Sequence, residues 1–299
     1  MNSSEESLGF IGMGLMGIPI CKHLLAAGQN LTVWNRTAEK CQELTTAGAV
    51  HAETLQDLAK KSDIIFICLS DDEAVKSVVL GKQGLLAHLR SHHLIVDLST
   101  IAPHATRDLA QEVMLAGASW VDAPMSGGVL GAEKGNLILM AGGMESSIER
   151  CRPVTQLFSQ RLRAMGPVGA GQTTKLCNQL IVAANSLLIA EAVALAQNAG
   201  VDAQQLAPAL AGGFADSLPL QILAPRMAQH IHEPVQWKVA TLHKDLSHVL
   251  ALAAHAGLTL PVAQRALEQL STAIQTGAAS LDLSHIIDLY IVPKETSAC

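Results

Sequence analysis

Aromatic residues are almost missing from this sequence: 299 residues hold four Phe, three Trp and one Tyr. Its cores must therefore be aliphatic, and the supply is ample, since apolar residues make up 49% and charged residues 15%. That balance excludes an intrinsically disordered chain. Runs of Lys or Arg are missing too, and the net charge is -6. Nucleic-acid binding is driven largely by phosphate neutralisation, so no nucleic-acid partner is expected. No C-x-x-C pair joins any of the six cysteines (Cys21, Cys41, Cys68, Cys151, Cys177 and Cys299). Scattered and set mostly in apolar runs, they read as reduced structural thiols of a cytoplasmic protein. The segment Met1 to Ser7 has neither a basic start nor an apolar stretch and reads as a frayed leader, not a signal peptide. Leu180 to Ala196 is the most apolar stretch, but Asn185, Ser186 and Glu191 interrupt it. It falls short of the roughly 20 clean apolar residues that a bilayer span needs, so a buried helix and no membrane association are expected.

Two catalytic signatures are also lacking. The twelve histidines include His92-His93 and His230-x-His232, but no H-E-x-x-H occurs. Neither pair has Cys, Asp or Glu at coordinating spacing, so they read as surface or loop histidines and no metal site is expected. Ser126 has no G-x-S-x-G elbow, which argues against a serine hydrolase.

At this length two domains are expected. From Leu8 to about Pro167, apolar runs (Leu8–Ile11, Leu31–Trp34, Ile64–Leu69, Leu94–Leu98, Trp120–Val121, Leu137–Ala141) alternate with helix-like segments such as Thr37–Ala47 and Pro103–Ala116. This is the pattern of βαβ units in a parallel sheet covered on both faces. After Gly171 the pattern becomes helical, with Thr173–Asn198, Ala203–Ala211, Leu218–Gln229, Thr241–His255, Val262–Thr276 and Leu283–Ile291 as candidate helices. The expected fold is a Rossmann-like doubly wound α/β domain over residues 1–168, joined by a long interdomain helix to an all-α domain over residues 169–299.

Two glycine-bearing segments carry the chemistry. Gly9 to Gly17 follows the first strand and opens a helix. Gly12 permits the tight turn, Gly14 the approach of backbone to a pyrophosphate, and Gly17 the packing of helix on strand, with Met13, Leu15 and Met16 completing the loop. After the second strand stands Asn35-Arg36-Thr37, where an NAD site would place a carboxylate for the ribose 2′-hydroxyl. Arg36 suits a 2′-phosphate instead, with Asn35 and Thr37 as neutral donors, so NADP(H) is expected over NAD(H). Leu69, Ser70 and Thr100 lie at strand C-termini, where a cofactor wall forms. Ser126-Gly127-Gly128 offers a hydroxyl and successive N–H groups to a substrate carboxylate. Lys175 and Asn178 share one face of a helix: the lysine is the candidate proton donor and the asparagine orients the substrate oxygen.

Taken in order and spacing, Gly9–Gly17, Asp122-Ala123-Pro124-Met125-Ser126-Gly127-Gly128, Gly169–Asn178 and Lys244-Asp245-Leu246 resemble the β-hydroxyacid dehydrogenase family over almost the whole chain. The resemblance implies NAD(P)-dependent, reversible 3-hydroxy acid chemistry, with Lys175, Asn178 and Ser126 as catalytic residues, and it raises Lys244 from a surface charge to a cofactor contact. Trp34-Asn35-Arg36-Thr37 looks more like the NADPH-using semialdehyde reductases of that family. The implied substrates are tartronate semialdehyde (2-hydroxy-3-oxopropionate), succinic semialdehyde or glyoxylate, with 3-hydroxyisobutyrate next. An imine reductase is disfavoured by the intact Ser126-Gly127-Gly128 and Lys175, and a non-catalytic nucleotide-binding protein by Lys175 and Asn178. Met125 stands where the family commonly has Val, Trp237 where it has Phe, and Asp216 would repel an acid if it faced the pocket. Thr173–Asn198 is apolar on more than one face, so a homodimer or homotetramer built on the C-terminal helices is expected.

Overall fold

The near-continuous apolar runs of the first half become the centre of one sheet. In the computed structural model, which describes residues 6–290, nine strands pair: β1 Leu8–Ile11, β2 Leu31–Trp34, β3 Val50–His51, β4 Ile64–Ile67, β5 Leu94–Asp97, β6 Ser119–Asp122, β7 Met125–Ser126, β8 Leu137–Gly143 and β9 Ser159–Gly166. Their order is β3-β2-β1-β4-β5-β6-β8-β7, with β9 also on β8. Alternate side chains face opposite ways: Leu8, Phe10, Ile64, Phe66, Leu94 and Val96 pack on one face, and Ile11, Ile65, Ile67 and Ile95 on the other. The scarce aromatics are concentrated, Phe10 stacking on Phe66 at 6.0 Å and Phe66 meeting Phe158 edge-on at 5.9 Å.

The sheet departs from a purely parallel one. β1 to β6 pair in parallel, but β8 runs antiparallel to both β6 and β7. β7 continues the course of β6 after Ala123 and Pro124, and the short return over residues 127–136 to β8 is less than the crossover a parallel pair requires. The frayed-leader expectation is also corrected at its end. Glu6 accepts two 2.8 Å hydrogen bonds from Arg150, and Asp63 accepts from the backbone N–H and hydroxyl of Ser7; residues 1–5 lie outside the described residues. Thr37 precedes a short 3₁₀ turn, Ala38–Cys41, without capping it by its side chain.

The chain divides into two compact units, Met1–Lys175 and Leu176–Cys299. The second is helical: Leu218–Gln229, Val239–His255 and Pro261–Gln275 bury Leu223, Met227, Leu242, Leu246, Ala266 and Leu270 together. Leu283–Tyr290 is a 3₁₀ segment rather than an α-helix. Asp282 draws the Ser284 N–H to its carboxylate, a local bond that competes with the α-helical ladder.

The helix Ala170–Asn198 has 29 residues and spans the division between the units. Its most apolar 18-residue window reaches a mean hydropathy of 1.8, so by length and composition it could cross a bilayer, contrary to the sequence expectation. Half of that window is buried inside the protein.

Candidate active site

The loop after β1 is shaped by close approaches. Gly12 has φ +107°, and a Cβ there would collide with the Cys68 carbonyl oxygen; one on Gly17 would collide with the Gly12 carbonyl oxygen. At Gly14, by contrast, nothing lies within 4 Å of such an atom. A groove of about 1180 Å³ opens beside Met13, Gly14 and Leu15. The helix Gly17–Ala26 has no side-chain cap at its start; Ile18 N–H donates to the Gly14 carbonyl at 3.2 Å and Pro19 has no N–H, so an anion would be met by the loop before the helix. These features fit a dinucleotide pyrophosphate.

Asn35 has a structural task that its position in the sequence did not show. Its Oδ1 accepts from Met13 N–H at 3.0 Å and its Nδ2 donates to the Thr37 carbonyl at 2.8 Å. It clamps the glycine loop to the end of β2. Arg36 and Thr37 are exposed.

Behind the strand ends runs a buried hydrogen-bond chain. Leu69 N–H donates to Ser99 Oγ at 2.9 Å, and Ser99 N–H donates to Asp97 Oδ1 at 3.0 Å. Gln172, in the first turn of the long helix, donates from Nε2 to the Ser99 carbonyl at 2.8 Å and accepts at Oε1 from Ile101 N–H at 3.2 Å. It thus brackets Thr100. Asp122 accepts from Gly169 N–H and Gln172 N–H, each at 2.8 Å. Burial pushes the Asp122 carboxyl up to about 6 against these donors, and Asp97, buried with Oδ2 unbonded, up to about 7. Glycine is required at 171, where a Cβ would strike the Met140 carbonyl oxygen. Asp122 and Gln172 lie in motifs that the sequence analysis quotes but were given no role there, and Ser99 was not picked out. The available signal was Gln172 itself, a polar residue one turn before Lys175 in a helix start flanked by glycines.

Ser126 ends β7, and Gly127 and Gly128 follow with φ of +128° and +61°, in the left-handed region glycine favours. Beside Gly128 the space is open. Lys175 is only 7% exposed, and Asn178 lies one turn on. Asn178 Nδ2 donates to Gln179 Oε1 at 2.9 Å, Gln179 Nε2 donates to the buried Asp245 Oδ2, and Lys244 Nζ lies 3.1 Å from Asp245 Oδ1. Asn178 and Lys244, 66 residues apart in sequence, therefore belong to one network built on Asp245. Trp237 is half-buried, its N–H donating to Asp282 Oδ2 at 3.2 Å. Asp216 is turned back on its own loop, accepting from Gly212 N–H and Gln221 Nε2 at 2.7 Å each. The Gly212 and Gln221 bonds hold its carboxyl below the usual carboxylate range.

Two histidine readings change. His93 is not a surface residue: it is buried, accepts from Arg90 N–H at Nδ1 and reaches the Ala59 carbonyl from Nε2 at 3.0 Å. His230-x-His232, which lacked an acidic neighbour in sequence, gains Asp288 in space.

Comparison with known proteins shows the family. A family model for the NAD binding domain of 6-phosphogluconate dehydrogenase matches residues 7–166, and one for the NAD-binding domain of NADP-dependent 3-hydroxyisobutyrate dehydrogenase matches residues 169–290. A 2-hydroxy-3-oxopropionate reductase of Escherichia coli K12 is 38% identical over 94% of this chain and 95% of its own length. Among solved structures, the 3-hydroxyisobutyrate dehydrogenase of Mycobacterium tuberculosis with L-serine superposes with a TM-score of 0.87 at 27% identity, covering 96% of this chain and 99% of that one. Psf3 in complex with NADP+ and 2-OPP gives 0.86 at 27% identity, covering 95% and 100%.

Proposed function

Because the chain belongs to the β-hydroxyacid dehydrogenase family of NAD(P)-dependent oxidoreductases, we propose that it reduces a small carboxylate-bearing semialdehyde or keto acid, with NADPH preferred. 2-Hydroxy-3-oxopropionate leads, the substrate for which the Escherichia coli relative is named. Succinic semialdehyde and glyoxylate follow, and oxidation of 3-hydroxyisobutyrate is the second reading, favoured by the mycobacterial neighbour.

The backbone of Gly12, Met13, Gly14, Leu15 and Met16 holds the pyrophosphate. Arg36 meets the 2′-phosphate, Leu69, Ser70 and Thr100 wall the cofactor, and Lys244 contacts it. When bound, the reduced nicotinamide supplies a hydride. The protein's part is the proton. Ser126, Gly127 and Gly128 hold the substrate carboxylate through a hydroxyl and backbone N–H groups. Asn178 orients the carbonyl oxygen, Trp237 lines the pocket, and Lys175 Nζ releases a proton to that oxygen as negative charge develops on it. In the oxidative direction the same amine takes the proton back.

The observation that supports this reading most directly is the burial of Lys175 on a helix whose first turn is anchored by Asp122, because lysine is among the residues least often buried. A steady-state screen of the three aldehydes and of 3-hydroxy acids with both cofactors tests it. NADPH-dependent reduction is expected, with kcat/KM at least about tenfold above that with NADH, the equivalent of one charge-assisted hydrogen bond. Inactivity on every substrate refutes the reductase; equal use of NADH removes the role given to Arg36.

A second copy of the chain is the proposed cover for the stripe Ile181, Leu188 and Leu195 on the long helix, which are 61%, 58% and 71% exposed. Their seven-residue spacing is that of a helix-pairing seam. Light scattering at dimer or tetramer mass is expected, and a monomer refutes it. The five described cysteines are unpaired, in keeping with a reducing cytoplasm.

A further inference from the structure

The helix Leu218–Gln229 stops at His230, which takes a left-handed φ of +52° as its C-cap. The turn brings the following residues against a segment far along the chain. His232 Nδ1 lies 2.8 Å from Ser284 Oγ, 52 residues on. The rings of His232 and His285 stack with centroids 3.7 Å apart. Ligand atoms of His230, His232 and Asp288 all lie within 4.8 Å of one another.

The hydrogen bonds determine the His232 tautomer. Ser284 Oγ donates its single hydrogen to Asp282 Oδ1 at 2.7 Å, so towards His232 the hydroxyl must accept and Nδ1 must carry the proton. Nε2 is left with its lone pair. Asp282 is buried and also accepts from Gln236 N–H at 2.7 Å and from Trp237 N–H at 3.2 Å, with Arg226 paired at 3.3 Å. Burial pulls the Asp282 carboxyl up, but the Ser284 and backbone donors outweigh it and keep the group below the usual carboxylate range. His285 Nδ1 lies 2.8 Å from Asp288 Oδ2, leaving the other carboxylate oxygen for a ligand.

We propose that His230, His232 and Asp288 bind a divalent transition-metal ion of the Zn²⁺ type, with water completing the shell. Imidazole nitrogens and a carboxylate are zinc's usual donors. The relay His232–Ser284–Asp282 is the outer-shell support that orients a metal-binding histidine. Donors about 2.0–2.2 Å from a tetrahedral zinc stand about 3.3 Å apart. Rotation of the exposed His230 and Asp288 side chains closes the remaining gap. The ion staples the end of Leu218–Gln229 to Leu283–Tyr290, and it is independent of the reductase reading.

Calorimetric titration of Zn²⁺ into EDTA-treated, full-length protein tests the site. One ion per chain is expected, with a rise in Tm because the ion binds the folded state. His230→Asn, which tolerates the left-handed cap, and Asp288→Ala should each weaken binding at least about tenfold and abolish the Tm rise. His92→Ala should leave both unchanged. No Zn²⁺ binding by the wild-type protein, or unaltered binding by both site variants, overturns the proposal.

Discussion

Two buried carboxylates grip the long helix, and they grip it differently. At its start, Asp122 accepts from the backbone N–H groups of Gly169 and Gln172. Further along, Asp245 is met by side chains, Gln179 Nε2 and Lys244 Nζ. Backbone donors cannot turn away when their acceptor is lost, whereas the partly exposed Lys244 can rotate to water, leaving only the buried Gln179 amide without its acceptor. The first grip is therefore a condition of folding and the second a means of orientation. Lys175 and Asn178 lie on the stretch of helix between residues 172 and 179, where position matters to chemistry.

The largest expected effect separates chemistry from either grip. Lys175→Met keeps an apolar stem of similar length and removes the amine. Turnover should fall by about 10²–10⁴, the contribution of a positioned general acid, with the urea midpoint nearly unchanged. Turnover close to wild type would sink the assignment of the proton to Lys175.

Next come the grips themselves. Asp122→Ala orphans two buried N–H groups at about 1–3 kcal/mol each, so the urea midpoint should drop sharply and activity should follow the folded fraction. Asp245→Ala orphans one buried donor, Gln179 Nε2, and should cost about half as much in stability, while KM or kcat changes as Asn178 loses its bracing through Gln179. If the two variants shift the midpoint equally, the distinction between backbone and side-chain grip fails.

Much of this was legible in the sequence, for a physical reason. β1, β2, β4 and β5 are buried on both faces, and such strands must be apolar throughout. β9 stayed hidden because it pairs along one edge only, on β8, and carries the exposed Arg161 and Arg163. β3 and β7 are two residues long, too short for any period to register. Strand direction is not written in apolar runs, so the antiparallel β8 had to be seen. At the site, Lys175 and the glycine loop carried local signatures. The partners of Asp122 and the meeting of His230 with Asp288 join residues dozens of positions apart and leave no local trace. The clamp made by Asn35 was hidden likewise, since its partner Met13 lies 22 residues away.

The smallest effect extends the comparison to Asp97. Like Asp122 it is buried, but one oxygen has no hydrogen-bond partner, and burial pushes its carboxyl up to about 7. With the folded value above the unfolded one of about 3.9, the native state binds the proton more tightly. Its contribution to stability is complete below about pH 4 and is lost as pH rises through 7. Asp122, raised to about 6, acts in the same direction over the lower part of that window. His93 and His232 oppose both: burial lowers each, so they destabilise the fold as pH falls through their unfolded value. The wild-type pH profile is thus a sum of opposed slopes, and only a difference isolates Asp97. Between pH 5.5 and 7.5, the Tm of Asp97→Asn minus that of the wild type should rise by a few degrees, on the order of one to two kcal/mol for a chain of this size. The slope follows the fraction of Asp97 that is protonated in the fold, so the rise should be steepest below pH 7 and level off above it. A flat difference across the window would mean that Asp97 is already ionised in the fold, and that an orphaned carboxylate oxygen is stable there without a proton.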